Sequence, residues 1–121
     1  MLVSPDGSRI ALSTKKTGAG QIDLAVMDAS THQVRALTAE ADPQWNWSAA
    51  AWIEGGKVLI ANRQFVDGSA GEVWRIDVAG GKAVKLLGKA ATVYIASDAT
   101  ADGAHVAVTT NGHRPASRRG L

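Results

Sequence analysis

Asp6-Gly7-Ser8-Arg9-Ile10-Ala11-Leu12 and Asp102-Gly103-Ala104-His105-Val106-Ala107-Val108 match as a tight turn followed by an apolar run, 96 residues apart. Halving that interval to 48 places a third copy near residue 54, and Glu54-Gly55-Gly56-Lys57-Val58-Leu59-Ile60 supplies it. A second landmark keeps step: Ile22-Asp23-Leu24-Ala25-Val26-Met27-Asp28 corresponds to Gly71-Glu72-Val73-Trp74-Arg75-Ile76-Asp77 at an offset of 49. The one-residue difference is assigned to a loop. A repeat of this length points to stacked supersecondary units, each burying its apolar faces against its neighbours.

Within each unit the apolar residues alternate, and no helical stripe is long enough to compete. The first unit predicts strands at Ile10–Ser13, Ile22–Asp28 and Gln33–Leu37, with a loop of Gly and Lys over residues 14–21. The second predicts Trp47–Trp52, Val58–Asn62, Glu72–Asp77 and Ala83–Leu87, with Gly80-Gly81 supplying a two-residue hairpin turn. The third predicts Thr92–Ala96 and His105–Thr110. Four short antiparallel strands per unit of this size make a propeller blade, whereas a β-sandwich has no reason to repeat its turns at a fixed long period.

Ser4-Pro5-Asp6-Gly7-Ser8-Arg9-Ile10-Ala11 resembles the Ser-Pro-Asp-Gly turn and apolar strand of the TolB-like, or WD40-like PD40, propeller repeat. Val26-Met27-Asp28 followed by Arg35-Ala36-Leu37-Thr38 is similar to that repeat's hairpin and closing Leu-Thr. The turn chemistry agrees, since Pro presets φ, Asp accepts a turn hydrogen bond and Gly takes the left-handed position. The full motif is replaced by Trp52-Ile53-Glu54-Gly55-Gly56 in the second unit and Ala99-Thr100-Ala101-Asp102-Gly103 in the third. The expected fold is all-β, an incomplete β-propeller of four-stranded antiparallel blades. Residues 1–41 are expected as a first blade without its opening strand, 42–90 as a complete second blade and 91–111 as the start of a third. Residues 112–121 are expected as a disordered basic tail. Closed propellers need four to eight blades. The expectation is therefore a longer parent chain whose remaining blades complete the ring, or self-association through exposed blade edges.

The formal charge of +2 is a property of that tail, since Arg114, Arg118 and Arg119 lie in it with no acid. The remaining Lys and Arg are interleaved with acids and small residues, which excludes a nucleic-acid footprint. No apolar segment is of membrane-spanning length, so membrane insertion is not expected. No signal peptide is legible after Met1; if the parent is exported, its signal lies upstream. The resemblance implies a bacterial, periplasmic setting. With no cysteine, disulfides and thiolate metal sites are excluded.

No catalytic constellation is legible. His32, His105 and His113 fall in a turn, a strand and the tail, without convergent ligand spacing, and no metal or cofactor is expected. Gly68-Ser69-Ala70-Gly71 fails the spacing of a nucleophile elbow, and Gly18-Ala19-Gly20 has no following helix to cradle a phosphate. Asp6, Asp28, Asp77 and Asp102 recur with the repeat, as turn residues do. Asp23 with Asp28, or Asp67 with Glu72, is the only acid pairing that suggests a cation, and neither has a ligand cage.

Trp45-Asn46-Trp47 puts two indoles on one side of an extended segment, with Trp52 and Trp74 farther on. One reading is packing between blades. The other is a recognition patch of Gln44, Trp45, Asn46, Trp47 and Arg63 at a propeller mouth, for a protein or a glycan. The functional expectation is accordingly a non-catalytic scaffold binding a protein partner. The alternative is the propeller portion of a prolyl-oligopeptidase-like serine peptidase, or of a propeller lyase, with its catalytic part elsewhere.

Overall fold

The structure, a computed structural model, describes residues 1–15 and 22–110. The tail at 112–121 with His113, and the Gly18-Ala19-Gly20 loop, lie outside the described residues. The strands are β1 (Leu2–Val3), β2 (Arg9–Lys15), β3 (Ile22–Asp28), β4 (Val34–Ala36), β5 (Trp45–Ile53), β6 (Val58–Phe65), β7 (Gly71–Asp77), β8 (Ala83–Leu87), β9 (Tyr94–Ala99) and β10 (Val106–Thr110). They form two four-stranded antiparallel sheets, β1-β2-β3-β4 and β5-β6-β7-β8, and the hairpin β9-β10. The first blade therefore does not lack its opening strand: Leu2 and Val3 pair with Ala11 and Ile10. β9 begins two residues later than expected, because Thr92 and Val93 make a parallel bridge to Gly71 instead.

β6 shows why these sheets stack. Val58, Leu59, Ile60, Ala61 and Asn62 are all buried, without the alternation of a sheet that has one wet face. Leu59 and Ala61 pack towards the first blade with Ala11, Leu24, Val26 and Ile76; Val58 and Ile60 pack towards β9 with Ile53, Val73 and Ala96. The outer strands β4 and β8 are exposed along their whole length.

The turn before each second strand holds the repeat. Around Asp6, the Ser4 amide donates to the Arg9 carbonyl (2.8 Å), the Ser4 hydroxyl to Asp6 (2.8 Å) and the Arg9 amide to the Ser4 hydroxyl (3.1 Å). Around Asp102, Thr100 and His105 repeat those three bonds at 2.9, 2.8 and 3.1 Å. Thr thus replaces Ser and Ala replaces Pro without changing the turn. Fully exposed Asp6 is held at a pKa of about 2, chiefly by the Ser8 amide and the Ser8 and Ser4 hydroxyls.

The middle copy is offset from the expected alignment. Val3 pairs with Ile10, Trp52 with Leu59 and Ala99 with Val106, so the equivalent left-handed glycines are Gly7, Gly56 and Gly103, with φ of 77°, 89° and 75°. The true offsets are 49 and then 47. Adjacent Gly55 and Gly56 allowed the sequence to be slid by one residue, but only Gly56 matches the ladder. Ile53 then stands where Ser4 and Thr100 stand, and Gly55 where Asp6 and Asp102 stand.

Nor is the β7–β8 connection a two-residue turn. Asp77 and Lys82 close a four-residue loop in which Gly81 alone of the glycine pair is left-handed (φ 72°), its amide bonded to the Asp77 carbonyl at 2.7 Å. In the first blade the same place is taken by His32, at φ 62°, with its amide 2.8 Å from the Asp28 carbonyl. A residue with a Cβ is strained there. His32→Gly should raise stability by about 0.5–1 kcal/mol in urea denaturation; no gain would mean that the imidazole makes a compensating contact.

A Cβ on Gly103 would stand 2.7 Å from Ile53 Cδ1, while one on Gly7 would meet nothing within 4 Å. Gly103→Ala should therefore destabilise by about 1–2 kcal/mol more than Gly7→Ala, and Ile53→Val should recover part of the difference. Equal costs for the two glycine variants would show that only the backbone conformation matters.

Candidate functional site: an indole-lined cleft between blades

Trp45 and Trp47 pair across the ladder with Phe65 and Arg63, so both indoles and the guanidinium share one face of the second blade. A bulge between Ala49 and Ala51 shifts the alternation by one residue. It brings Trp52, five residues after Trp47, to the same face, where its Nε1 donates to the Leu2 carbonyl at 3.0 Å. Trp47 is 7% exposed and meets Trp74 edge-on, with ring centroids 5.5 Å apart. Trp45 is half-buried, with Phe65 at its edge (5.2 Å) and the Arg63 guanidinium 4.1 Å from its ring centre.

Arg63 is the hub. Its Nε and Nη2 donate to the two carboxylate oxygens of Glu40 at 2.5 and 3.0 Å, and its Nη1 donates to Glu72 at 3.1 Å. Trp47 Nε1 donates to Glu40 at 3.0 Å and Trp74 Nε1 to Glu72 at 2.9 Å, while Lys85 lies 3.7 Å from Glu72. Two acids, two bases and two indole N–H groups form one connected network. Hydrogen bonding to Arg63 holds the Glu40 carboxyl below its ordinary range against the opposing effect of burial, and raises the Arg63 pKa in return.

Glu40 is delivered by the linker between blades. Buried Asp23 accepts from the Thr38 hydroxyl (2.6 Å) and the Glu40 amide (3.1 Å), and Thr38 Oγ1 accepts from the Leu24 amide (3.0 Å). The result is a cleft of about 380 Å³ lined by Leu37, Thr38, Glu40, Trp47, Arg63 and Trp74, with Ala39 and Ala83 at its margin.

Of the five residues anticipated as a patch, Trp45, Trp47 and Arg63 come together here. Asn46 instead takes a hydrogen bond from the Ile22 amide at 2.8 Å, tying the second blade to β3. Gln44 is exposed, its carbonyl receiving the Val66 amide at 2.8 Å. Glu40 and Glu72 carry no sequence signal for this role, since Glu40 lies in an aperiodic linker and the spacing of Glu72 pairs it with Asp67 instead. Asp67 in fact caps the Ser69 amide at 2.8 Å. Among the described residues no cluster of three or more potential metal ligands occurs. The hydroxyls of Ser4, Ser8 and Ser30 donate to Asp6 and Asp28.

Arg63→Gln leaves the Glu40 carboxylate sheltered and without its main partner, and should cost about 2–3 kcal/mol. Arg63→Gln combined with Glu40→Gln should cost clearly less than the two single changes added together; strict additivity in urea denaturation would mean that the pair is not coupled.

No family model matches the chain, and no curated protein matches it. Solved structures do. TolB from Acinetobacter baumannii is similar at 26% identity and a TM-score of 0.64, over 93% of this chain and 26% of that one. A protein described as putative TolB from Agrobacterium tumefaciens is similar in fold at 16% identity and a TM-score of 0.57, over 89% of this chain and 40% of that one. The chain thus spans about a quarter of the first and two fifths of the second. These TolB proteins are β-propellers, and the antiparallel four-stranded sheets found here are blades of such a propeller, similar to those of TolB.

Proposed function

We propose that the chain is part of a non-catalytic, TolB-like propeller of the PD40 repeat kind, and that it binds protein through the cleft between its first and second blades. The observation that carries this is the chemical state of the cleft. Its acids and bases satisfy one another through Arg63, so what it offers a ligand is indole and aliphatic surface around a fixed ionic floor. Such a site recognises by shape and apolar burial, as an anchoring pocket for a partner's aliphatic or aromatic side chain does. Trp45, against the Arg63 guanidinium, and exposed Gln44 extend the proposed surface. The likeness to TolB supports a propeller used as a scaffold. Nothing among the described residues favours the peptidase or lyase reading.

A photo-crosslinking residue at exposed Ala39, introduced in the source cells, tests this. The expected result is a discrete adduct with one polypeptide that disappears in Ala83→Arg, a change that fills the cleft mouth from an exposed position and leaves the melting temperature unchanged. An adduct that survives Ala83→Arg, or none at all, would overturn the assignment of the cleft.

A further inference from the structure

At the opposite end of the same inter-blade groove lie two arginines that the ion-pair network does not include. Arg9 pairs with Asp28 and Arg35 with Val26 across the first sheet, so all four side chains share the face turned to the second blade. Arg9 Nη1 donates to the Gly56 carbonyl at 3.0 Å and Arg35 Nη2 to the Val78 carbonyl at 2.6 Å. Each guanidinium is thereby fixed by a turn of the second blade, with most of its five N–H donors unspent. Among the described residues the ion pairs involve Arg63, Arg75 and Lys85, and neither Arg9 nor Arg35. A cavity of about 280 Å³ opens between them, lined by Arg9, Val26, Asp28, Gln33, Val34 and Arg35.

Asp28 lines the same cavity with its own negative charge, but among the described residues it forms an ion pair with neither arginine. Its Oδ1 accepts from the Ser30 amide, the Ser30 hydroxyl and the Thr31 amide at 2.9, 2.7 and 3.0 Å, which directs it into its own turn. Nor is the arrangement imposed by the repeat. Val58 takes the position of Arg9 and Val84 that of Arg35 in the second blade, where Arg75 has a carboxylate partner in Glu54 at 2.6 Å. With one carboxylate beside two guanidinium groups the cavity keeps a net positive charge, and a guanidinium fork matches the two oxygens of an oxyanion.

We propose that this groove is an oxyanion-binding site, in which Arg9 and Arg35 clamp a carboxylate or phosphate group and the Gln33 side-chain amide supplies a neutral donor. The site is independent of the indole-lined cleft and does not rest on its assignment. The probes are inorganic phosphate and acetate, titrated separately at constant ionic strength against chloride, with ¹H–¹⁵N NMR of the protein as the readout. Saturable shifts at the Arg9, Gln33 and Arg35 amides are expected, with Kd of about 1–10 mM. Arg35→Gln should weaken binding about tenfold, Arg9→Gln should do the same, and Arg75→Gln should leave it unchanged. Tighter saturation by phosphate assigns a phosphate-bearing ligand, and tighter saturation by acetate a carboxylate-bearing one. Linear shifts with both anions, or binding unaltered in both Arg9→Gln and Arg35→Gln, would overturn the proposal.

Discussion

Neighbouring blades in a propeller have to be held at a fixed angle by contacts that recur with the repeat, and here those contacts are made turn on turn. The residue that opens one blade's turn sits against the left-handed glycine of the next. Ser4 Cβ would be 3.4 Å from a Cβ on Gly56, and Ile53 Cδ1 would be 2.7 Å from one on Gly103. Hydrogen bonds run at the same level, from Arg9 to the Gly56 carbonyl and from the Glu54 amide to the Ala101 carbonyl at 2.7 Å. A glycine at that point serves two needs, the positive φ of the turn and the close approach of the preceding blade. Ile53 can replace the capping hydroxyl of Ser4 and Thr100 because it is 1% exposed and gains by burial what it gives up in turn hydrogen bonds.

Away from the turns the spacing is kept by buried polar side chains acting in place of backbone. Asn62, 5% exposed, donates to the Ala96 carbonyl at 2.9 Å and accepts the Ala96 amide at 2.8 Å, which is the bonding pattern of one more strand residue. Asp23 does a related job for the linker, and through Thr38 and the Glu40 amide it decides where the Glu40 carboxylate arrives. Both groups are hydrogen-bonded, as burial requires. The indole-lined cleft is therefore a consequence of how the linker is anchored, since Asp23 bonds directly to two of the residues that line it, Thr38 and Glu40.

The strands and the blade architecture were legible in the sequence because turn spelling and two-residue alternation are local signals. What was not legible depended on backbone details of a single residue. Gly55 and Gly56 are interchangeable in a sequence comparison, yet only the ladder through Trp52 and Leu59 tells which one is equivalent to Gly7. The bulge after Ala49 is equally silent, and without it Trp52 would face away from Trp47. Packing accounts for Trp47, which is buried in the core and also lines the cleft. Glu40 gave no signal because its position is set by Asp23, a contact 17 residues away.

The two inter-blade interfaces have matching backbones and unlike chemistry. Between the second blade and β9 the packing is aliphatic, with Ala51, Ile53, Val58, Ile60, Val73 and Ala96. Between the first and second blades an aromatic core runs from an ionic network at one end to a pair of arginines at the other. A repeat fold constrains the aliphatic positions of every interface alike, since each must supply the same wedge. Departures from that common pattern divide according to whether the surrounding structure satisfies them. Arg63 replaces a neutral position, Thr14, and is answered by Glu40 and Glu72, so its charge is absorbed into the packing. Arg9 and Arg35 replace positions that are valine in the second blade; carbonyl oxygens orient both, and the single carboxylate beside them, Asp28, forms an ion pair with neither. Charge that the fold fixes in place and only partly balances is available to a ligand, and Arg9 and Arg35 hold such charge between the first and second blades.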